Sequence, residues 1–442
     1  MKKFLLFTTL ALLFFRRAFT VEIFQDDFYL FNLSRAGNFF YPLKPYGFYR
    51  PIGIEAFYWF ADQLNKLALT RIIVFGVFGL GLVFLQKTVY LLTKNSRLAT
   101  LTSIIYLFSF THVFQLYWLA TFQEIAMMTC SIIATYYFLS NRYLASAVSF
   151  TLALFSREQA MLLPVALGVV TSKFKQLSLL GLMALPFALI YVVNYPTVAV
   201  RPEYSPVLNP KLIANNLTWY TLWSAGLPNF FPDYLFSLTS LPTNYFWQAI
   251  SSNHAWPYLI TWAGYIIILI FSILKIRSRQ LLKIAIICAG LYLIYILPIS
   301  VIVHKWMVRL TVPVIFFSFF IAYVIDKSPR MLGIITLTLY ILFNYLAIPI
   351  HENTSTYMYE SQITSRTKQY LQNLNPKPGT TFYFSDDRKI LSGWEGSQKL
   401  KLTLFDQHFL EYWYPNQKLQ AVYEFEATPP KDAITIKSEL LL

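Results

Sequence analysis

The sequence predicts an α-helical polytopic membrane protein with a small soluble α/β domain at its C-terminal end. Of its 442 residues, 56% are hydrophobic and only 13% are charged, whereas soluble domains carry about 25% charged residues. Apolar runs long enough to cross a bilayer recur along most of the chain. From about His351 onward, charged residues return and no apolar run is long enough to span. We therefore expect a membrane region followed by a soluble tail.

Apolar segments predict about eleven transmembrane helices. The first runs from Phe4 to Phe15, and it lacks the small-x-small pattern of a signal-peptide cleavage site, so we expect an uncleaved helix with a cytoplasmic N-terminus. The other ten predicted spans are approximately 70–92, 98–117, 122–139, 143–155, 159–172, 176–194, 257–274, 283–303, 310–325 and 331–349. Two of them, 143–155 and 159–172, are short for a crossing of about 20 residues.

The positions of lysine and arginine agree with this topology, because cytoplasmic loops carry an excess of both. The loops predicted to be cytoplasmic contain one acid, Asp326, and the basic residues Lys94, Arg97, Arg142, Lys173, Lys175, Lys275, Arg277, Arg279, Lys283, Lys327 and Arg330. The predicted outer segments contain the acids Asp26, Asp27, Glu55, Asp62, Glu124, Glu158, Glu203 and Asp233. We predict a multi-pass plasma-membrane protein whose C-terminal domain is extracytoplasmic.

The predicted membrane domain covers residues 1–350 and the predicted extracytoplasmic domain covers residues 351–442. Within the membrane domain, 21–69 forms the first outside loop. A long outside loop covers 195–256 and contains a predicted short helix around Pro210 to Trp223. Loops of this length tend to be functional.

Two stretches outside the predicted spans show periodic patterns. Apolar residues recur at helical spacing from Ile54 to Ala68, which predicts an amphipathic helix lying on the membrane surface. In the tail, turn residues from Asn375 to Gly379 precede several strand-like runs. These runs are Thr380–Phe384, Leu400–Phe405, Ala421–Phe425 and Ala433–Ile436. The tail is therefore predicted to be of mixed α/β character.

The net charge of +15 does not indicate a nucleic-acid-binding protein. The lysines and arginines lie mostly in short loops, where they orient a membrane protein. Cys130 and Cys288 both fall inside predicted spans, so we expect buried thiols and no disulfide. No spacing typical of a zinc or iron–sulfur site is present.

The first outside loop contains two adjacent acids, Asp26 and Asp27, directly after the first hydrophobic segment. A charge near hydrocarbon is costly, so such residues usually face a cavity, a partner or water. A carboxylate at this position suits a general base that deprotonates an acceptor hydroxyl. We hypothesise that one of the two is the catalytic base of a membrane glycosyltransferase, with a slight preference for Asp27.

Further charged residues fall on the same predicted side of the membrane, in the first loop and in the turns between spans. The candidates are Arg50, Glu124, Arg157, Glu158, His304, Lys305 and Arg309. Cations in such a site bind a departing lipid phosphate, whose charge grows in the transition state. Arginine suits phosphate because its planar fork donates two hydrogen bonds at once.

Each candidate also has a purely structural interpretation. Adjacent acids in a loop are usually solvated, Arg157 and Glu158 suit a simple ion pair, and lysine or arginine at a span end commonly reaches for the interface. The functional interpretation is favoured because the predicted topology independently places acids and cations from several loops on one face of the membrane.

The chain resembles glycosyltransferases of the GT-C superfamily, which include protein O-mannosyltransferases and lipid A aminoarabinose transferases. The likeness covers roughly residues 1–350 and consists of Asp26-Asp27 with Tyr49-Arg50-Pro51 downstream, the Arg157-Glu158 turn, and the segment from His304 to Arg309. The resemblance implies a polyprenyl-phosphate sugar donor, an outside active site and inversion at the anomeric carbon. By position, it implies that Asp26 or Asp27 is the base and that Arg50, Arg157 and Arg309 bind the donor phosphate.

Other functions remain open at this stage. A transporter or flippase for lipid-linked glycans would share the membrane setting, but such proteins tend to show internal repeats and polar helices near the midplane. An oligosaccharide ligase or polymerase would share the lipid donor, and a non-catalytic scaffold would leave the outer charges unexplained. The acceptor, whether a glycan, a lipid or a protein, is also open. So is a divalent cation, for which Asp26, Asp27 and Glu158 offer oxygen ligands.

Overall fold

Helices dominate the computed structural model, which describes residues 1–44, 47–199, 204–229, 231, 244–276, 278–386 and 396–442. In the N-terminal half the α-helices are α1 Lys2–Phe14, α2 Asp26–Arg35, α3 Phe57–Leu64, α4 Leu67–Thr93, α5 Ser96–Leu107, α6 Val113–Tyr117, α7 Phe122–Leu139, α8 Tyr143–Ser156, α9 Leu163–Val170 and α10 Phe174–Ala199. In the C-terminal half they are α11 Pro210–Ser224, α12 Asn244–Ser252, α13 Trp256–Ile276, α14 Arg279–Ser300, α15 Pro313–Lys327, α16 Arg330–Thr354, α17 Thr356–Leu374, α18 Ser397–Leu404 and α19 His408–Trp413.

Each predicted span coincides with a helix or a pair of helices, which confirms a helical multi-pass membrane protein. Within the described residues, five helices are long and apolar enough to cross a membrane alone: α4, α10, α13, α14 and α16. A sixth span results if α5 is joined to the helical segment Phe110–Tyr117, which bends away from it by 52°. The helices α1, α8 and α15 have 13, 14 and 15 residues, so the predicted count of eleven full crossings is not reached by length alone.

Loops predicted to share one side of the membrane lie close together at one end of the bundle. The Asn95 amide donates to the Asp326 carboxylate over 3.0 Å, and Arg97 lies 3.7 Å from the same side chain. Lys173 donates to the Asn141 side chain over 2.6 Å. These contacts join two pairs of loops that the basic residues place on one side, and the assignment of that side as cytoplasmic stays a prediction.

The first outside loop packs one side of its helix against protein. A π-helix over Pro51–Ala56 leads into α3, and Asn65 ends that helix in a left-handed conformation with φ 46°. The apolar side of α3 is buried: the Phe57 ring stacks 3.9 Å from Phe122 and the Tyr58 ring packs 4.8 Å from Phe31. The predicted helix therefore exists and packs its predicted apolar face on protein. Trp59 and Phe60 of the same helix are 46% and 43% exposed, and its placement on the membrane surface stays a prediction.

The tail contains three short parallel strands, β1 Thr381–Ser385, β2 Gln420–Tyr423 and β3 Ile434–Lys437, in the order β2-β1-β3. Three of the four predicted strand runs are thereby confirmed. The fourth, Leu400–Phe405, is wrong, because this stretch belongs to helix α18. Leu400, Thr403 and Leu404 are buried there while Leu402 is 43% exposed, so the burial follows helical spacing and not strand alternation.

The tail packs directly on the first outside loop. The Asn32 amide of α2 donates to the His408 carbonyl over 3.1 Å and to the Glu411 carboxylate over 3.0 Å. The Phe28 ring lies edge-on to Phe409 at 5.2 Å, and Phe31 lies 4.9 Å from Tyr412. Hydrogen bonds and aromatic contacts together fix the loop that carries Asp26 and Asp27 against the tail.

Candidate functional site

Asp27 is buried at the N-terminus of α2, where only 1% of the residue is exposed. One carboxylate oxygen accepts a hydrogen bond from the Tyr58 hydroxyl of α3, and the other accepts one from the Phe24 backbone N–H over 3.2 Å. Burial raises the pKa of Asp27 to about 7, although both hydrogen bonds and the Arg71 charge act to lower it. Asp27 thus joins the first loop to α3 through one oxygen and fixes the backbone of its own loop through the other.

Asp26 lies one residue earlier and is only partly buried. It follows Gln25, whose backbone has φ 49° and ψ −126°, a conformation that non-glycine residues rarely adopt and that concentrates at functional sites. The Gln25 N–H donates to the Thr403 carbonyl of the tail over 2.8 Å. Of the two adjacent acids, Asp26 is partly exposed, whereas Asp27 is buried.

Arg50 and Glu158 form the first part of a buried charged cluster. Nε and Nη2 of Arg50 donate to the two Glu158 oxygens over 2.8 and 2.6 Å, and Nη1 donates to the Gln123 side-chain oxygen over 2.6 Å. The guanidinium also lies over the Phe48 ring, 4.1 Å from its centroid. Burial by itself would raise the pKa of Glu158, but Arg50 and Arg157 bring it down to about 2. This carboxylate is therefore ionised at neutral pH.

Arg157 extends the cluster to α7. Its Nη1 contacts Glu124 and its Nε lies 3.9 Å from Glu158. The Glu124 side chain is fully buried, and the Arg157 side chain is 11% exposed. Burying an ion pair costs desolvation energy, which the attraction between the two charges only partly offsets. These buried pairs are therefore better explained by a functional site than by a contribution to stability.

Arg309 lies in the 3-10 helix Met307–Leu310 and is 5% exposed. It interacts electrostatically with Glu124 and Arg157, which joins it to the cluster. Its Nε and Nη1 atoms are buried without a hydrogen-bond partner among the described residues. Buried N–H groups are nearly always satisfied, so these two donors suit a ligand oxygen.

The π-helix Pro51–Ala56 brings the two parts of the site together. It starts directly after Arg50 and ends two residues before Tyr58. A Cβ atom on Gly53 would lie 2.5 Å from the Ser156 carbonyl oxygen, so only glycine lets this helix approach the end of α8. Seven helical residues separate Arg50 from Tyr58, which corresponds to a length on the order of 10 Å. We refer to Asp26, Asp27, Arg50, Glu124, Arg157, Glu158 and Arg309 as the polar site.

His304 and Lys305 lie in the segment that leads into the 3-10 helix of Arg309, and both are partly buried. The His304 ring lies 5.8 Å from Trp306, and Trp306 lies 5.4 Å from Trp118. Trp118 in turn stacks on Phe24 at 5.2 Å. A row of aromatic rings therefore connects the His304 segment with the loop that carries Asp26 and Asp27.

An apolar cavity of about 480 Å³ lies between α4, α7, α9, α14 and α15, with Leu85, Met128, Leu167 and Phe316 among the residues that line it. Tyr295 also lines this cavity, and its carbonyl accepts a hydrogen bond from Gln159 over 3.2 Å. Gln159 follows Glu158 directly, so this hydrogen bond links a residue of the cavity wall to the segment that carries Glu158.

All seven charged members of the polar site were predicted from the sequence, whereas several of their partners were not. Tyr58, Arg71 and Gln25 are the missed residues. Arg71 carried a signal, because a charged residue inside the predicted span 70–92 indicates a functional site. Tyr58 and Gln25 are identified only by long-range contacts. Among the described residues, no group of three or more His, Cys, Asp or Glu side chains is placed to hold a metal ion.

Two solved structures share this fold. The crystal structure of ArnT from Cupriavidus metallidurans bound to undecaprenyl phosphate matches with a TM-score of 0.51 and 13% identity over 94% of this chain and 89% of that chain. The same protein in the apo state matches with a TM-score of 0.50 and 12% identity over 97% and 86%. No protein-family model and no curated protein sequence matches the chain. The chain therefore has an ArnT-like helical membrane fold, in agreement with the resemblance drawn from the sequence.

Proposed function

We propose that the protein is a membrane glycosyltransferase that moves a sugar from a polyprenyl-phosphate donor to an extracytoplasmic acceptor with inversion at the anomeric carbon. The observation that carries this proposal is the buried cluster of three arginines, Arg50, Arg157 and Arg309, which faces two glutamates. Three positive charges against two negative ones leave one positive charge to balance a bound anion. A phosphate group supplies that anion.

Arg309 is the best candidate for direct contact with the donor phosphate. Arg50 is occupied by Glu158 and Gln123, and Arg157 contacts Glu124. The unpartnered Nε–H and Nη1–H groups of Arg309 lie on different edges of the guanidinium, so each suits a separate oxygen of the ligand. In this view Arg50 and Arg157 supply fixed positive charge around the leaving group, which stabilises the charge that develops there.

We assign the general base to Asp26 and a positioning role to Asp27. Asp27 is enclosed and bonded through both oxygens, whereas Asp26 is partly exposed. In the reaction, Asp26 takes the proton of the acceptor hydroxyl while the hydroxyl oxygen bonds to the anomeric carbon. The bond from that carbon to the phosphate oxygen breaks in the same step, and the electron pair leaves with the phosphate.

The apolar cavity gives the lipid part of the donor a place beside the polar site. Its volume of about 480 Å³ falls in the range of small-molecule sites, about 300–1,000 Å³. The similarly folded ArnT was crystallised with undecaprenyl phosphate, which supports a polyprenyl-phosphate ligand here. We place the polar site and the tail on the extracytoplasmic side, as the basic residues of the loops predict.

A flippase for lipid-linked glycans and a ligase or polymerase are the alternatives. A flippase moves the intact donor, whereas a transferase breaks the bond between the sugar and the phosphate. The test uses purified protein in proteoliposomes with a radiolabelled undecaprenyl-phosphate sugar and detergent-washed envelope membranes as the acceptor pool. We expect label in a new membrane product and release of undecaprenyl phosphate in equal amounts. Translocation of intact donor without release would contradict the proposal and establish the flippase.

A further inference from the structure

The segment that carries the proposed base is held in place from the tail. The Glu22 N–H donates to the Ser361 hydroxyl of α17 over 2.6 Å, and the Gln25 N–H donates to the Thr403 carbonyl of α18 over 2.8 Å. Gln25 has the unusual backbone conformation with φ 49°. A residue keeps such a backbone conformation only where the surrounding structure fixes it. Here much of that surrounding structure belongs to the tail.

Glu360 of α17 provides the third contact to this segment. The Gln25 side chain lies near Glu360, and Gln25, Lys399 and Asp26 all influence the pKa of this carboxyl group. Glu360 is 3% exposed, and its Oε2 is buried without a hydrogen-bond partner among the described residues. Burial raises the pKa of Glu360 to about 7; Lys399 and Gln25 oppose this shift, and Asp26 adds to it.

A carboxylate at this position is not what packing alone requires. Burying a carboxyl group beside a second carboxylate costs free energy, and an apolar or amide side chain would dock the tail without that cost. Buried acids with unfavourable neighbours are retained most often at functional sites. The structural alternative is that Glu360 only helps to attach the tail, as Asn32 does through His408 and Glu411.

We propose that Glu360, contributed by the tail, is a positioning residue for Asp26, and that it acts by holding the side chain of Gln25. The tail then completes the catalytic site, because it fixes the residue from which the base projects. This inference rests on the proposed role of Asp26 as the general base. It assigns the soluble tail a part in turnover that does not depend on binding the donor lipid.

The test compares Glu360→Ala, Glu360→Gln and Gln25→Ala in the full-length protein, with Asn32→Ala as the matched control that removes a different contact between loop and tail. Turnover and KM for a radiolabelled undecaprenyl-phosphate sugar are measured with envelope membranes as acceptor. We expect kcat to fall about tenfold or more in Glu360→Ala and Gln25→Ala, because small displacements of a reacting group are costly. Donor KM should stay unchanged, and Asn32→Ala should keep wild-type kcat.

Glutamine at position 360 keeps an oxygen that can accept a hydrogen bond from the Gln25 amide, so Glu360→Gln should retain kcat within about threefold of wild type. The double variant of Glu360→Ala and Gln25→Ala should be no slower than either single variant, since both remove one interaction. If Glu360→Ala does not fold, Gln25→Ala carries the same test.

Wild-type kcat in both alanine variants would overturn the inference, and so would an equal loss in Asn32→Ala. The proposed function fails by a different result, namely an Asp26→Asn variant that transfers sugar at the wild-type rate. If Asp26→Asn is inactive while Glu360→Ala is fully active, the proposed function stands and only the positioning role of Glu360 is excluded.

Discussion

Arg50 binds Glu158 through two parallel hydrogen bonds of 2.8 and 2.6 Å across 108 positions of the chain. This fork joins the first outside loop to the turn between α8 and α9. Its third donor, Nη1, reaches Gln123 at the start of α7. One guanidinium therefore connects three separate parts of the membrane domain and sets the spacing of the polar site.

Replacement of Arg50 by lysine should be damaging although the charge is kept. A lysine ammonium cannot reproduce a planar fork, so we expect Arg50→Lys to lower turnover at least tenfold and to lower the unfolding temperature. Arg35→Lys is the matched control, since Arg35 makes the same two-pronged contact with Asp62 over 3.0 and 2.8 Å at the surface. Exposed pairs contribute about 1 kcal/mol or less. Equal effects in the two variants would contradict a special role for the buried fork.

Arg309→Ala should weaken donor binding without harming the fold. The substitution removes a charged donor pair from the phosphate site, and hydrogen bonds to charged groups contribute about 1.5–3 kcal/mol each. We therefore expect at least a tenfold loss of affinity for undecaprenyl phosphate, measured by the shift in unfolding temperature on ligand titration. The unliganded variant should be as stable as wild type or more so, because two unpartnered buried N–H groups are removed. Unchanged affinity would exclude Arg309 from the donor site.

The pH dependence of stability should show the titration of Asp27. Its folded pKa of about 7 lies above the unfolded value of about 3.9. The stabilising contribution is therefore complete below pH ~4 and is lost as the pH rises through about 7. We expect the unfolding temperature to fall more between pH 6 and pH 8 in wild type than in Asp27→Asn, which cannot ionise. Parallel curves for the two proteins would contradict this.

Helices were well predicted because long apolar segments have few alternatives in a bilayer. Predictions from short-range alternation were less reliable. The run Leu400–Phe405 alternates apolar and polar residues as a strand does, yet it is part of a helix whose start is held by Asp386, which accepts two hydrogen bonds of 2.6 Å from Ser397. That contact joins positions eleven residues apart, so no local pattern reveals it.

The site could be predicted only as a set of charged residues on one side of the membrane. The sequence could not distinguish Asp26 from Asp27, because the difference lies in contacts with Tyr58 and Phe24. The sequence suggested that Glu158 pairs with its neighbour Arg157, whereas its main partner is Arg50. This pairing depends on the close approach of Gly53 to α8. These contacts are determined by tertiary packing, which the pattern of residues along the sequence does not reveal.

The orientation of the chain can be tested by cysteine labelling in intact cells. The native Cys130 and Cys288 are first replaced by serine, and single cysteines are introduced at Lys275 and Pro429, both of which are exposed. We expect a membrane-impermeant maleimide to label the Pro429→Cys variant only, because the tail is placed outside and the loop after α13 inside. Labelling of both positions from the same side would contradict the predicted topology.

Sugar transfer by the two aspartate variants tests the central claim most directly. Asparagine keeps the shape of the side chain but cannot take a proton, so Asp26→Asn should lose about 10²–10⁴ in turnover, the range for a positioned general base. Asp27→Asn should lose less, because Asp27 is enclosed and acts through Tyr58. The measurement is transfer from a radiolabelled undecaprenyl-phosphate sugar in membranes with matched expression. If both variants transfer sugar at the wild-type rate, neither carboxylate is the base, and the flippase becomes the better account.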